Sequence, residues 1–231
     1  MAVDYFIMFN GSGVDPVKFR EHYKAVNGPP LSSLPGARVA LLHTPKPSHD
    51  PFLADKDPPL LLVQVSFESR EEAEAALVSP AAKMLKHDYE GVPVKGGRIS
   101  HELLQTEPYA TATSAPSEVV TAPVSYFVHY RRPVDDEEHF LDHYRAGHVP
   151  ILAQFPGLRS LTLYTPTRWR SPIKMAPADH FLVCQIAFDS LDALNDALAS
   201  EVRVRLREDY YGFPKHGEVS HYAMLRDQVY P

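Results

Sequence analysis

Apolar and polar residues alternate along Val124 to Arg131 in the two-residue rhythm of a strand. The rhythm then changes. Phe140, Tyr144, Gly147 and Ile151 recur at helical spacing, with Asp135 placed to cap the helix and Glu138 three residues on to complete a capping-box start. Pro156-Gly157 turns the chain into a strand over Leu158 to Thr165, and a Pro-rich loop, Pro166 to Pro177, leads to another over His180 to Phe188. Asp189 or Ser190 opens a second helix running to about Asp209 with breaks, and Gly217 to Met224 reads as a closing strand. The order is β-α-β-β-α-β. The first half of the chain reads the same way: strand Asp4 to Phe9, helix Val17 to Val26, strands Ala37 to Thr44 and Leu60 to Phe67, helix Glu71 to about Asp88, and strand Arg98 to Leu104.

The two halves are copies. Phe19, His22, Tyr23 and Ala25 fall on Phe140, His143, Tyr144 and Ala146 at an offset of 121. The same offset carries Pro35-Gly36 onto Pro156-Gly157, Gln64 onto Gln185 and Asp88-Tyr89 onto Asp209-Tyr210, and one deletion later Ser100-His101 meets Ser220-His221. Chance does not hold one register over such a length. Thr106 to Ala122, rich in Thr, Ala, Ser and Pro without periodicity, reads as a linker, so the expected organisation is a first repeat over 1–105, a linker over 106–122 and a second repeat over 123–231.

This element order suits an α+β fold of two tandem ferredoxin-like repeats, each a four-stranded antiparallel sheet with both helices on one face. In Leu182 to Phe188 both alternating sets of side chains are largely apolar, so the second face of the sheet must be covered too. The internal copy supplies the cover. Two sheets facing each other within one chain to form a barrel-like interior around a shared cavity are therefore expected.

Composition removes several classes of function. A net charge of −6 without a basic stripe argues against a nucleic-acid partner, because phosphate binding needs clustered Lys and Arg. No apolar run approaches the roughly 20 residues that span a bilayer, so no membrane partner is expected. Met1 to Asn10 carries Asp4 where a signal peptide carries positive charge, and reads as a strand and not as a targeting segment. Cys184 is a single cysteine, which excludes an internal disulfide and fits a reducing cytoplasm.

The run Tyr126-Phe-Val-His-Tyr-Arg-Arg-Pro133, followed by Glu138-His-Phe140, Tyr144, His148, Pro150 and Phe155-Pro156-Gly157, resembles the EthD-like family of dimeric α+β barrel proteins. The resemblance extends over both copies. It implies a ferredoxin-like fold paired through sheet faces, here within one chain, and small-molecule chemistry or binding without a metal or organic cofactor. It further implies dehydration, decarboxylation or cyclisation, or a place in a degradation pathway. The family histidine maps to His148, but the repeat position in the first half is Asn27, and the first turn is Asn10-Gly11-Ser12-Gly13 in place of Arg131-Arg132-Pro133. The first half therefore reads as a degenerate copy kept for shape, with chemistry in the second.

His148 leads the candidates. It stands two residues before Pro150, where a broken helix can aim a side chain into a cavity, and an imidazole suits acid–base work near neutrality. His129 comes next. Alternate strand residues face opposite ways, so His129 and Tyr130 cannot both face one cavity, and the face shared with Phe127 favours His129 as a second catalytic group. Tyr130, Arg131, Tyr144, Gln185 and His221 are the expected substrate contacts, although His221 and Gln185 have mates in His101 and Gln64, which fits a structural role as well. His139 and His143 are four apart on a helix, a spacing that can hold a metal, but no Glu joins them as in zinc hydrolases, and no metal is expected. The run Glu201 to Asp209 reads as a solvated helix face.

The expected function is a cofactor-independent enzyme of lyase or isomerase type, with a histidine general acid/base acting on an oxygenated, aromatic or polyketide-like substrate. A non-catalytic metabolite-binding accessory protein and a cofactor-independent monooxygenase are the alternatives. A small molecule is the expected partner, and a homodimer of the tandem chain is left open.

Overall fold

The computed structural model describes residues 1–54, 58–89, 91–115 and 122–230. Strand β1 (Val3–Ser12), helix α1 (Pro16–Ser32), strands β2 (Val39–Lys46) and β3 (Leu61–Phe67), helices α2 (Arg70–Leu77) and α3 (Pro80–Met84), and strand β4 (Lys95–Tyr109) make up the first half. The second half has strand β5 (Val124–Arg131), helix α4 (Glu137–His143), a π-helical turn over Tyr144–His148, helix α5 (Val149–Leu152), strand β6 (Ser160–Pro166), the two-residue β7 (Ala176–Pro177), strand β8 (His180–Phe188), helices α6 (Leu191–Leu198) and α7 (Glu201–Tyr210), and strand β9 (Val219–Tyr230).

Local chemistry sets the helix starts. The Asp15 side chain accepts from Lys18 N at 2.9 Å, Ser69 from Glu72 N at 3.2 Å and Ser190 from Ala193 N at 3.0 Å, each satisfying a backbone donor that the first turn leaves unpaired. Asp136, not Asp135, caps α4 by accepting from His139 N at 2.9 Å. Asp135 instead donates its backbone N–H to the Lys215 carbonyl, because the segment before α4 is tied to the approach to β9.

The strands close a ring. The order β4-β1-β3-β2 in the first half matches β9-β5-β8-β6 in the second, and all pairings among these eight strands are antiparallel. The halves join edge to edge. Beyond its pairing with β1, β4 continues to Tyr109 and pairs with β6 from Leu104↔Pro166 to Tyr109↔Leu161, while β9 pairs with β5 and then with β2. Thr106 to Tyr109, expected in the linker, are thus strand, and residues 116–121 of that linker lie outside the described residues.

The ring is the expected barrel-like interior, but packed side chains take the place of the expected interior cavity. Eight strands leave an interior just wide enough for side chains, and here it is filled. Phe6, Met8, Leu62, Phe127, Tyr164 and Tyr222 form its apolar part. Repeat mates Gln64 and Gln185 exchange contacts at 3.5 Å near its centre, and Gln64 Nε2 donates to Asp4 at 2.5 Å. The outer face of each half packs against its own helices in a separate core.

Candidate active site

The cavity that could take a ligand lies outside the ring. About 440 Å³ of space separates the outer face of the second-half sheet from the π-helical turn and helices α5, α6 and α7, within the roughly 300–1,000 Å³ of small-molecule sites. Strand parity decides which residues reach it. Tyr126, Val128 and Tyr130 of β5 line the cavity, whereas Phe127 and His129 point into the ring.

That parity corrects the expectation for His129. Its face does coincide with that of Phe127, but the face encloses packed side chains. His129 Nδ1 lies 3.2 Å from His180 Nε2, His180 Nδ1 lies 2.5 Å from Glu102, and His129 Nε2 lies 3.1 Å from the Tyr222 hydroxyl. Gln185 is likewise inside the ring, donating to Ser125 at 3.0 Å, and Arg131 gives Nη1 to the Ala178 carbonyl at 3.3 Å. None of these three lines the cavity. Tyr130, Tyr144, His148 and His221 do.

His148 owes its position to an extra residue in the helical turn. The Val149 N–H bonds to the Tyr144 carbonyl five residues back. A Pro150 ring in a regular helix would crowd the carbonyl four residues earlier. The wide turn absorbs that conflict, so the helix continues through Pro150 instead of breaking, and His148 sits on the cavity wall. Gly147 lets α7 come close, since a Cβ there would meet Asp209 Oδ1 at 3.2 Å.

The close approach brings in a residue whose role the sequence did not disclose. Asp209 Oδ2 lies 2.7 Å from His148 Nδ1, and its Oδ1 lies 3.2 Å from His143 Nε2. The carboxylate accepts Nδ1–H of His148, which fixes the tautomer and leaves the Nε2 lone pair for the cavity. Burial pushes the His148 imidazole down to about 4, against the upward pull of Asp209. Burial also lowers His221 to about 4, helped by Arg203 and Arg207, and pushes the Cys184 thiol up to about 12. Both imidazoles facing the cavity are therefore neutral at neutral pH. His143, bonded to Asp209, and the exposed His139 have ring centroids 6.4 Å apart, and among the described residues no cluster of three metal-ligating side chains occurs.

The roof comes from the other half. Asp50, Phe52, Leu53 and Ala54, from the loop between β2 and β3, cover the cavity. Asp50 pairs with Arg203 on α7 at 2.8 Å, and the Arg203 guanidinium lies 5.1 Å over the Phe52 ring. The run expected to be a solvated face thus has Arg203 and Leu206 buried and Arg207 on the cavity wall. Its signal was the apolar residue at every second position, which a helix bends to two sides. Asp50→Ala should leave Arg203 without its carboxylate but within reach of cavity water, costing about 1–3 kcal/mol. A urea midpoint unchanged from wild type would show that the strap is not held by this pair.

The first half builds no counterpart of the dyad. Its helix α3 ends at Met84, so the chain from Leu85 is not helical and Lys86 exposes backbone groups. Asn27 takes both, accepting from Lys86 N at 2.7 Å and donating to Lys86 O at 3.3 Å, which an amide can do and a carboxylate-bound imidazole cannot. A cavity of about 300 Å³ lies beside Asn27, between α1 and Lys86, Asp88 and Gly91.

Residues 132–213, which carry the π turn, His148 and Asp209, match the EthD domain. Over these residues the second half is similar to that domain. The fold of the whole chain is shared more widely. An anthrone oxidase-like protein superposes with a TM-score of 0.61 at 14% identity, over 99% of this chain and 93% of its own. A candidate monooxygenase from Fusobacterium nucleatum gives 0.60 at 9% identity, over 98% and 94%, and one from Lactobacillus acidophilus gives 0.55 at 11%, over 98% and 95%. At such identities the likeness is one of fold: a mixed α+β chain wound into an antiparallel barrel. No curated protein matches the sequence. Among the described residues no helix is long and apolar enough to cross a membrane.

Proposed function

We propose that the cavity of the EthD half is the active site of a cofactor-independent small-molecule enzyme of lyase or isomerase type, with His148 as its general base and acid. The observation that carries this reading is the Asp209–His148 pair at 2.7 Å on the cavity wall, with the imidazole held neutral by burial. A neutral Nε2 can take a proton from carbon next to the carbonyl of an oxygenated, aromatic or polyketide-like substrate. The enolate so formed is reprotonated at another carbon in an isomerisation. In an elimination it expels a β-hydroxyl, which leaves as water with the proton that His148 returns. Arg207 on the cavity wall adds positive potential where negative charge develops.

The tandem organisation belongs to the same reading. The uniform offset and the matching strand orders support two ferredoxin-like repeats, 1–105 and 123–231, forming within one chain what dimeric α+β barrels form from two. Because the first half roofs the pocket of the second, a further homodimer is not needed to complete the site. Cys184, buried and unpaired, fits work in a reducing cytoplasm.

Barrels of this fold described as candidate monooxygenases and as anthrone oxidase-like support a second reading, in which the carbanion made by His148 meets dioxygen. Both begin with the same proton transfer, so one experiment separates them. In heavy water, wild-type protein should accelerate exchange of the α-protons of β-tetralone, followed by NMR, and His148→Gln should not. Exchange without oxygen uptake supports the isomerase or lyase. Oxygen uptake in step with substrate loss supports the oxidase. Saturable binding with exchange no faster in wild type than in His148→Gln would overturn catalysis and leave an accessory, metabolite-binding protein.

A further inference from the structure

Trp169 belongs to the loop between β6 and β8 of the EthD half, yet it packs into the core of the first half. Its ring centroid lies 6.0 Å from Tyr5 and 5.4 Å from His101, with interplanar angles of 73° and 60°. Edge-on contacts of this kind are the favoured geometry between aromatic rings. Tyr5 and His101 are the repeat mates of Tyr126 and His221, both of which line the open pocket. The indole therefore stands in the first half where empty space stands in the second.

Equivalent loops of the two halves carry this difference. The offset of 121 holds from Pro45 and Pro166 before the loops to Gln64 and Gln185 after them, so Trp169 corresponds to Ser48. Each loop crosses to the other half. Ile173 and Met175 also pack into the first core, and Arg70 Nη1 ties the strap by donating to the Arg168 carbonyl at 3.0 Å. The wall is more apolar as well, with Ala82 at the repeat position of Arg203.

We infer that the first half retains a second aromatic-binding pocket and that the indole of Trp169 is its built-in ligand, so that each chain presents one open site and one filled one. The ligand class that this second pocket would accept is a planar, uncharged ring system of indole size. It would bind without turnover, because Asn27 is committed to the Lys86 backbone. The inference is independent of the chemistry assigned to His148.

Fluorine NMR with fluoroindole as probe tests it on the full chain. Wild type should show at most one bound resonance, from the open pocket, and Trp169→Gly should show one more, with a lowered thermal midpoint that the probe raises towards wild type. Trp169→Phe, which keeps a ring in place, should show no added resonance. A folded Trp169→Gly with no more bound probe than wild type, or two bound resonances in wild type itself, would overturn the inference. If the glycine variant does not fold, Trp169→Leu leaves a smaller void that should take fluorobenzene, since apolar cavities of this kind accept apolar guests. Failure of the folded leucine variant to bind fluorobenzene would equally sink it.

Discussion

His148→Ala should lower turnover by roughly 10²–10⁴, the usual contribution of a positioned general acid/base. Asn27→Ala should leave turnover within about a few fold, because an amide bonded to backbone cannot move a proton near neutrality. Equal losses from the two variants would show that the halves share the chemistry. The pH dependence has a definite sign. The reacting form is the neutral imidazole, so kcat/KM should rise with pH through an apparent pKa near 4 and be level across neutrality. Asp209 raises the His148 value, so Asp209→Asn should move that limb lower still while reducing turnover less than His148→Ala does. A limb that stays in place in His148→Gln, with exchange activity intact, would assign it to the substrate.

Folding stability should fall steeply on acidification between about pH 6.5 and 4. Unfolded histidines titrate near 6.5. In the folded chain burial lowers His43 to about 3 and His101, His148 and His221 to about 4, and holds His129 well below its ordinary value. A depressed value means that the unfolded chain binds more protons in this window, so the stability is complete above about 6.5 and is lost as pH falls. Asp4 opposes this, because burial raises its carboxyl and the folded chain keeps that proton longer. Five lowered histidines outweigh Asp4, so unfolding takes up protons through this window and stability falls as the pH does. Urea midpoints from pH 7 to 4.5 measure it directly. A flat profile would mean that the interior admits protonated imidazole.

The amino-acid sequence determined the repeat, the order of elements and the lopsidedness of the two halves. Each of these rests on local information: periodicity separates strand from helix, one offset aligns the copies, and Asn27 against His148 is a difference in chemical type at one aligned position. Strand parity was also legible, since it requires only that neighbours face opposite ways. Which side of the sheet is empty was not. That depends on eight strands closing edge to edge, which fills the inside with side chains from both halves and leaves the ligand space outside. His129 and Gln185 were misplaced for this reason. Asp209 gained its meaning only when α7 docked on the π turn, and Asp50 and Trp169 only when each loop crossed to the opposite half. Contacts between residues some 60 to 160 positions apart are set by how the halves assemble, and no local pattern encodes them. The pKa of His148 follows the same rule: the residue type puts it near 6.5, and burial moves it to about 4.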